Sequence, residues 1–264
     1  MPLEWLVDYW QAKAELTLPF LKGRATGMQL VFGNKVIFQR HEPDGTFVVI
    51  DDRAELLKWA RQHCYSFHPH LEDGVLVFAL DIDRRHEAMP FDLAQYAAGE
   101  MSGLLTDLAV AHLLKFSGKR GFHFFWGFAR TDLEVASGGD IWEFCRATIR
   151  YLRDHLEERL RRGPRHEEFY RVLPANGPIT ITNSADREHE RSLLLDENIV
   201  HAMGSLRSPW SVHPESGLVS LPLVPEELAD FRPEEATPSN VLDRGGPTEL
   251  PQLSVARWQK LLSG

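Results

Sequence analysis

Cysteines and long apolar runs are both scarce in this sequence. Its two cysteines, Cys64 and Cys145, are too few and too far apart for a disulfide framework or a cysteine-rich zinc site. No apolar run approaches the length of a membrane span, and the N-terminus carries acidic residues where a signal peptide would be basic. The sequence therefore predicts a cytoplasmic protein with no zinc site and no membrane partner.

Positive charge is in deficit as well, since 29 Lys and Arg residues face 38 Asp and Glu residues, which gives a net charge of −9. This balance argues against a generally basic nucleic-acid coat, although a local basic groove remains compatible with it.

Two catalytic motifs are also missing. No serine lies in a G-x-S-x-G elbow and no Walker A pattern is present, which argues against a Ser/His/Asp hydrolase and a P-loop ATPase.

The segment VLVFALDIDRR, residues 75–85, contains the first group of chemical interest. Its six leading apolar residues predict a strand buried on both faces. Because side chains alternate along a strand, Asp81 and Asp83 point the same way while Ile82 points into the core. Two adjacent carboxylates are costly without a cation between them, and Mg²⁺ or Mn²⁺ suits an all-oxygen pair. For this pair alone, capping of a turn is an equally good interpretation.

The second group is the loop SGKRGFH, residues 117–123, which precedes the apolar strand FHFFWGF. Its glycines allow backbone N–H groups to approach a phosphate closely, and Lys119 and Arg120 would neutralise that phosphate. Ser117 and His123 add a hydroxyl and an imidazole. On alternation, His123 shares a face with Phe125, and a core histidine with a hydrogen-bond partner is the alternative interpretation.

The third group lies in residues 193–217, LLLDENIVHAMGSLRSPWSVHPESG. Asp196 ends an apolar run as Asp81 does, so it would add a third carboxylate to the same site. Arg207 and His213 lie in a Ser- and Pro-rich loop that would present a cation and an imidazole. The alternatives are a helix cap for Asp196 and a surface role for Arg207. Taken together, the three groups suit metal-assisted phosphoryl transfer on a nucleoside triphosphate.

Hydrophobic periodicity and turn residues predict the elements that carry these groups. The predicted helices are one from about Leu3 that stops at Leu18-Pro19, one capped by Asp51 or Asp52, a mostly helical region from Phe91 to Leu114 with a strand from about His112, a long helix that begins after Gly138-Gly139-Asp140 and ends at Gly163-Pro164, and a last short helix with Val255, Trp258 and Leu261. The predicted strands are 28–32, 35–40, 46–50, 122–128, 179–183, 192–195 and 216–223, and Pro225–Pro251 is predicted to wrap the surface.

In this order, the three groups resemble the motifs of the archaeo-eukaryotic primase superfamily. The D-x-D at Asp81 and Asp83 is similar to its first motif, SGKRGFH to its second and Asp196 to its third. The segment SPWSVHPESG resembles part of the catalytic small subunit of DNA primase. YWQAKAELTLPFLKGR and SFHPHL resemble the polymerase domain of bacterial ligase D. The resemblance covers about residues 9–223.

The resemblance implies a template-directed nucleotidyltransferase with two-metal catalysis. Asp81, Asp83 and Asp196 would hold two Mg²⁺ or Mn²⁺ ions. The triphosphate of the incoming nucleotide would be bound by Ser117, Gly118, Lys119, Arg120, His123, Arg207 and His213. The implied DNA contacts are Phe67 and His68 near the templating base, with core packing as the alternative for Phe67, and Lys22 and Arg24 at a downstream 5′-phosphate.

The implied fold is α/β (α+β), with a mixed, largely antiparallel sheet flanked by helices and a small β-rich N-terminal unit. Residues 1–224 would form the catalytic domain, with the N-terminal unit in about 1–72 and the metal and nucleotide core in 73–224. Residues 225–264 would form the Pro-rich wrap and C-terminal helix. Many primase small subunits carry a zinc knuckle between the second and third motifs, where this sequence has a single cysteine. A transition-metal site made of His63, Cys64, His68 and His70 ranks below a structural role for them.

The implied partners are a DNA template and primer, an NTP or dNTP, and a DNA ligase or end-joining factors or a primase large subunit. The ligase-D-like N-terminus favours repair by end joining and gap filling, whereas the primase-like third motif favours primer synthesis. Two other classes stay open. One is a catalytically inactive nucleic-acid-binding scaffold subunit, and the other is a metal-dependent nuclease that uses the D-x-D.

Overall fold

A computed structural model describes residues 4–73, 75–255 and Trp258. The described residues form two β-sheets and the helices around them. The α-helices are α1 (Glu4–Leu21), α2 (Arg53–Arg61), α3 (Phe91–Asp107), α4 (Arg130–Ala136), α5 (Ile141–Arg162) and α6 (His166–Val172). The strands are β1 (Thr26–Phe32), β2 (Lys35–Gln39), β3 (Cys64–Pro69), β4 (Leu76–Arg84), β5 (Leu113–Phe116), β6 (Gly121–Phe128), β7 (Thr180–Ile181), β8 (Leu193–Leu195) and β9 (Pro222–Leu223).

The N-terminal sheet is antiparallel and has the strand order β2-β1-β3. Its first two strands confirm the predictions for residues 28–32 and 35–40. The strand predicted over 46–50 is wrong, because those residues form only isolated bridges, His41 with Phe47 and Ala25 with Val49. The third strand of this sheet is instead β3.

The second sheet has the order β7-β8-β4-β6-β5-β9. All its neighbours are antiparallel except the pair β7 and β8, so the predicted mixed, mostly antiparallel sheet is confirmed. Its centre is the pair β4 and β6, which runs in register from Leu76 opposite Phe128 to Asp83 opposite Gly121. The two strongly apolar segments of the sequence therefore lie side by side.

One face of this second sheet packs against α3 and carries the apolar side chains of the two central strands. Leu80, Ile82, Phe122 and Phe124 are fully buried there. A single apolar core contains these residues together with residues of α1, β3, α5 and the C-terminal segment. The division into an N-terminal unit and a catalytic core stays a prediction, because both sheets contribute to that one core.

Several predicted boundaries differ from the structure. Helix α1 passes through Pro19 and ends at Leu21, whose side chain is fully buried. In the last turn a proline removes only one backbone hydrogen bond, so burial of Leu21 can outweigh its cost. Helices α4 and α6 were not predicted. Asp140 does cap α5, since its side chain accepts the backbone N–H of Glu143 at 2.9 Å, as the sequence indicated.

The C-terminal part of the chain does more than cover the surface. Leu228, Phe231 and Val241 are buried within the segment predicted as a wrap. Of the strand predicted over 216–223, only β9 and a single bridge between Val212 and Val219 form. Val255 and Trp258 are buried as an apolar helix face would be, whereas Leu261 lies outside the described residues. No helix within the described ranges is long and apolar enough to cross a membrane.

Candidate active site

A row of polar residues crosses the second sheet on the face opposite to α3. Asp81 on β4 lies opposite His123 on β6, and His123 lies opposite Lys115 on β5. Asp196 directly follows β8 and lies opposite Asp81, because Ile82 pairs with Leu195 in antiparallel register. Its backbone N–H donates to the Asp81 carbonyl oxygen at 3.3 Å. Residues directly opposite on adjacent strands share a face, so the row brings two of the predicted acids beside the predicted histidine.

Asp81 and Asp83 form a partly buried carboxylate pair in which one oxygen has no partner among the described residues. Burial raises the pKa of Asp81 to about 6. Burial, together with the neighbouring Asp81 charge, raises the pKa of Asp83 to about 7. Arg120 lies 2.6 Å from Asp83 Oδ2, while the buried Oδ1 has no hydrogen-bond partner among the described residues. An orphaned carboxylate oxygen beside a second acid fits a hard divalent cation.

Asp196 is differently engaged. Its carboxylate accepts the backbone and side-chain N–H groups of Asn198 at 3.0 and 2.9 Å, and burial raises its pKa. In the described part of the chain, no three acidic, histidine or cysteine side chains are gathered as a ready ligand set. The capping interpretation of Asp196 therefore describes the structure as it stands, and its role as a metal ligand stays a prediction.

The glycine loop is held together by one hydroxyl. Ser117 Oγ accepts the backbone N–H groups of Lys119, Arg120 and Gly121 at 3.1–3.3 Å. Gly118 has a φ of +93°, and a Cβ there would lie 3.1 Å from His213 Cβ, so glycine is required both for the turn and for the close approach. The Lys119 ammonium pairs with Glu215. Both cations of the loop are thus balanced by acids that border the cavity.

Arg207 and His213 reach the same place from the segment after β8. The Arg207 guanidinium donates to Ser66 Oγ at 3.0 Å, to the Ser117 carbonyl at 3.1 Å and to Gln29 Oε1 at 3.1 Å. His213 Nδ1 accepts the Glu215 backbone N–H at 3.2 Å. Burial, with Arg207 nearby, lowers the pKa of His213 to about 3, so its imidazole is neutral and carries its proton on Nε2.

These groups surround one polar cavity of about 490 Å³. Its walls combine acids, cations and imidazoles from both sheets and from the segment between β8 and β9. The lining residues are His68, Asp81, Asp83, Ser117, Lys119, Arg120, His123, Ser205, Leu206, Arg207, His213 and Glu215. The structure therefore brings together eight of the ten acidic and nucleotide-binding residues predicted from the sequence, while Gly118 and Asp196 are not among the lining residues.

The two residues predicted near the templating base point to different places. Phe67 is fully buried, with its ring centroid 4.9 Å from that of Trp10, so it is a core residue, as its alternative interpretation held. His68 lines the cavity, and its Nε2 lies 2.9 Å from Ser66 Oγ and 3.2 Å from Gln29 Oε1. Of this pair, we keep His68 as a contact.

The predicted 5′-phosphate contacts lie outside this cavity. Arg24 uses its guanidinium to bind the backbone carbonyls of His70 and Val75 at 3.0 and 2.6 Å. Burial lowers the pKa of Arg24. Lys22 is exposed. A DNA phosphate at Arg24 would therefore have to share the guanidinium with these two carbonyl groups, which lie in the chain between β3 and β4.

With the geometry established, comparisons with known proteins identify the family. A model of the family described as LigD, primase-polymerase domain, matches residues 4–249. The chain belongs to that family. Membership makes it a nucleotidyltransferase of the kind that works in DNA end joining.

Among solved structures, the polymerase domain from Mycobacterium tuberculosis ligase D in complex with DNA is similar in fold. It superposes with a TM-score of 0.67 at 17% sequence identity, over 90% of this chain and 86% of that chain. A search among curated proteins gives no match. The resemblance stated from the motifs is thereby confirmed.

Several residues of the site were not predicted from the sequence. They are Lys115, Glu215, Gln29, Ser66 and Phe38, the last with its ring 5.4 Å from His68 and 44% exposed. Lys115 had a local signal, since a lysine interrupts the apolar run LLKF two residues before the glycine loop. Ser66 and Glu215 lie within SFHPHL and SPWSVHPESG, the segments of the resemblance, which assigned them no role. Gln29 and Phe38 come from the N-terminal sheet, where no local pattern indicates the contact.

A larger cavity of about 660 Å³ adjoins the polar one at Leu206 and Arg207. Its walls are mostly apolar, with Phe20, Leu71 and Phe125 among them, and no strand-end acid takes part. Metal-assisted phosphoryl transfer requires grouped carboxylates, and the only acid among the lining residues of this cavity is Glu249. We therefore place the chemistry of the family in the smaller cavity.

Proposed function

We propose that this protein is a DNA-templated polymerase that adds NTPs or dNTPs to a 3′-hydroxyl, filling gaps during end joining. The observation that carries the proposal is the single cavity in which Asp81 and Asp83 face the glycine loop, Arg207 and His213. Its charge pattern suits a metal–triphosphate complex, with acids on one side and cations on the other. Membership in the LigD primase-polymerase domain family supports repair over primer synthesis.

In this proposal Asp81, Asp83 and Asp196 hold two Mg²⁺ or Mn²⁺ ions. The orphaned Asp83 Oδ1 and the raised pKa values of both strand acids support this fit. When bound, such cations lower the pKa of the attacking hydroxyl and offset the charge that develops on the transferred phosphorus centre. Asp196 would bind the same ions because it lies opposite Asp81, directly after β8.

The triphosphate is bound by the groups opposite the acids. Lys119 and Arg120 exchange Glu215 and Asp83 for phosphate oxygens, which accept the same kind of charge-assisted hydrogen bond. The neutral His213 donates from Nε2. Arg207 orders this side of the cavity because it ties the Ser117 carbonyl to the N-terminal sheet. The Gly118 backbone lets the loop lie close to His213.

DNA would approach from the N-terminal sheet. His68 lines the cavity and contacts the exposed ring of Phe38, which together offer a surface on which a base can stack. The similar polymerase domain was solved in complex with DNA, which supports a DNA partner for this chain. We keep Lys22 and Arg24 as proposed contacts to a downstream 5′-phosphate, and a ligase or other end-joining factor as the proposed protein partner.

A primer-extension assay tests the proposal. Wild-type protein with Mn²⁺ should extend a primer across a short gap with a downstream 5′-phosphate. Asp81→Asn should reduce the rate at least about a hundredfold, because it removes one carboxylate of the metal pair. Glu87→Gln is a matched control, since Glu87 lies outside the cavity in the segment after β4. Full activity of Asp81→Asn would overturn the proposal.

The same DNA substrates separate the other classes. A metal-dependent nuclease would shorten the labelled strand, and a scaffold would bind DNA but neither extend the primer nor bind ATP with Mg²⁺ in calorimetry. Synthesis of dinucleotides on unprimed single strands, in preference to gap filling, would assign the protein to primer synthesis instead.

A further inference from the structure

The fully buried Lys115 has no part in the chemistry described so far, although it belongs to the polar row. Its Nζ lies 2.6 Å from His123 Nδ1 and 2.6 Å from Ser220 Oγ. The Phe125 ring centroid lies 5.2 Å from the same atom. A lysine ammonium has three donors and no acceptor, and each of these three partners offers an acceptor or a π face.

The Ser220 hydroxyl fixes the direction of this network. Ser220 Oγ donates to the Phe116 carbonyl oxygen at 3.3 Å, so its own proton is used and its lone pairs face Lys115. Lys115 is therefore the donor to Ser220. Burial lowers the pKa of the Lys115 amine well below its usual range, but even the neutral amine keeps a second hydrogen to donate. Donation to His123 Nδ1, which lies 2.6 Å away, requires that nitrogen to be unprotonated.

A neutral imidazole carries one ring proton, so an acceptor at Nδ1 places the proton on Nε2. His123 Nε2 lies 3.3 Å from Asp81 Oδ1, and His123 borders the polar cavity. A proton on Nε2 gives an attractive contact with the carboxylate oxygen. The opposite tautomer would set two lone pairs against each other.

We propose that Lys115 is a positioning residue that holds His123 as its Nε2–H tautomer, with the donor directed at Asp81 and at the phosphate of an incoming nucleotide. This inference rests on the proposed function for the identity of the nucleotide, but not for the tautomer. The proposal gives a role to Lys115, whose burial otherwise only costs free energy.

The tautomer can be measured without any activity. In protein labelled with ¹⁵N at histidine, long-range ¹H–¹⁵N correlation spectra distinguish the two ring nitrogens, and His123→Asn assigns the signal. The wild-type protein without nucleotide is expected to show Nε2 protonated and Nδ1 unprotonated. In Lys115→Met, His123 should lose this preference and show a mixture of tautomers. A wild-type protein with Nδ1 protonated would overturn the proposal, whether or not Lys115→Met folds.

Nucleotide binding provides the second readout, through calorimetry with ATP and Mg²⁺. Lys115→Met should weaken binding about tenfold, the worth of one hydrogen bond to a charged group. Since Lys115 acts through His123, the effect should vanish when both proteins also carry His123→Ala. An equal loss in the His123→Ala background would show a merely structural role and contradict the proposal.

Lys13 provides a matched control for the removal of a buried lysine. It is 1% exposed, donates to the Arg244 carbonyl at 2.6 Å and lies outside the polar cavity. Lys13→Met should destabilise the fold while leaving the His123 tautomer and the ATP affinity as in wild type. If wild-type protein has the Nε2–H tautomer but binds no ATP, the proposed function fails while the tautomer assignment stands.

Discussion

Gly121 determines how closely the two halves of the site approach each other. It lies opposite Asp83 at the end of the β4–β6 pair, and a Cβ there would overlap the Ile82 carbonyl oxygen and lie 2.8 Å from Asp83 Cα. These are backbone atoms, which cannot move aside as the end of a flexible side chain can. The absent side chain therefore lets Arg120, the preceding residue, reach Asp83.

We expect Gly121→Ala to separate the strands and to lower the free energy of unfolding by about 1–3 kcal/mol, as overpacking does. Gly99→Ala in α3 is the control, since its Cβ would meet only Leu228 at 3.8 Å. That change should stabilise the helix by about 0.5–1 kcal/mol. Urea unfolding of both variants measures the difference, and equal stability of the two would contradict the close approach.

The raised pKa of Asp83 gives a pH dependence with a definite sign. The folded protein binds the Asp83 proton more tightly than the unfolded chain does, because the pKa is raised from 3.8 to about 7. The resulting stability is present below pH 3.8 and is lost as the pH rises through about 7. Without divalent cations, the free energy of unfolding should therefore fall across this window, and Asp83→Asn should flatten the fall.

Thermal unfolding in chelator at a series of pH values measures this dependence. Mg²⁺ should restore stability at the upper end, because it replaces the proton between the carboxylates. Asp44→Asn is the control, since Asp44 is exposed and hydrogen bonds from Thr46 lower its pKa. A slope of wild-type size in Asp83→Asn would show that another group is responsible.

Alternation along strands predicted the orientation of single residues well. Asp81 and Asp83 share a face, Ile82 is buried, and His123 lies on the face of Phe125, all as expected from a period of two. Alternation does not predict which group a side chain contacts. Trp10 packs against the Phe67 ring, and such a tertiary partner leaves no trace in a strand pattern. The partner of Asp196 is local instead, since Asn198 supplies the capping contact that the alternative interpretation of Asp196 allowed.

At the scale of elements, the segment that carries Arg207 has no regular structure but a defined path. Ser208 N–H donates to the Phe67 carbonyl and Val212 N–H to the Tyr65 carbonyl, each at 2.8 Å. The segment thus runs along β3 and brings Arg207 between the two sheets. No periodicity predicted this, because the order comes from the neighbouring strand.

Arg207→Lys should loosen this junction. A lysine cannot reproduce the guanidinium fork to Ser66, Ser117 and Gln29, so we expect a loss of about 1–3 kcal/mol in stability. Nucleotide affinity should fall as well, since the Ser117 loop loses an anchor. Differential scanning fluorimetry and ATP calorimetry give the two values.

Arg165→Lys is the matched change at an element junction away from the cavity. Arg165 pairs with Asp92 and Glu168, both at 2.6 Å, and it should affect stability alone. Unchanged ATP affinity in Arg207→Lys would remove Arg207 from the nucleotide site.

The long elements were predictable because their apolar patterns are strong, as β4, β6 and α5 show. The short ones were not. Residues 46–50 carry a strand-like sequence, yet Val48 N–H and Val49 pair only at single points, with Arg40 and Ala25. Pairing geometry, which depends on neighbours distant in sequence, decides whether such a run becomes a strand.

For the whole molecule, the acidic net charge is compatible with a cavity in which three cations lie beside three acids. The −9 total is spread over the chain, whereas Lys119, Arg120 and Arg207 meet in one cavity. The larger apolar core extends along the chain from Leu6 in α1 to Trp258. Trp258 therefore shares a core with Phe122 and Phe124, the apolar residues that flank His123 on β6.

Trp258 tests that link from the far end of the sequence. Its side chain is fully buried, its indole N–H donates to Thr148 Oγ1 at 2.9 Å, and its ring centroid lies 5.9 Å from that of Trp126 on β6. Trp126 lies on the same strand as His123. Trp258→Ala should lower the free energy of unfolding by about 3–5 kcal/mol, as loss of a large buried aromatic does. Leu242→Ala, 41% exposed in the same C-terminal segment, should cost far less. If urea unfolding gave the two variants equal stability, Trp258 would not belong to the core that supports the site.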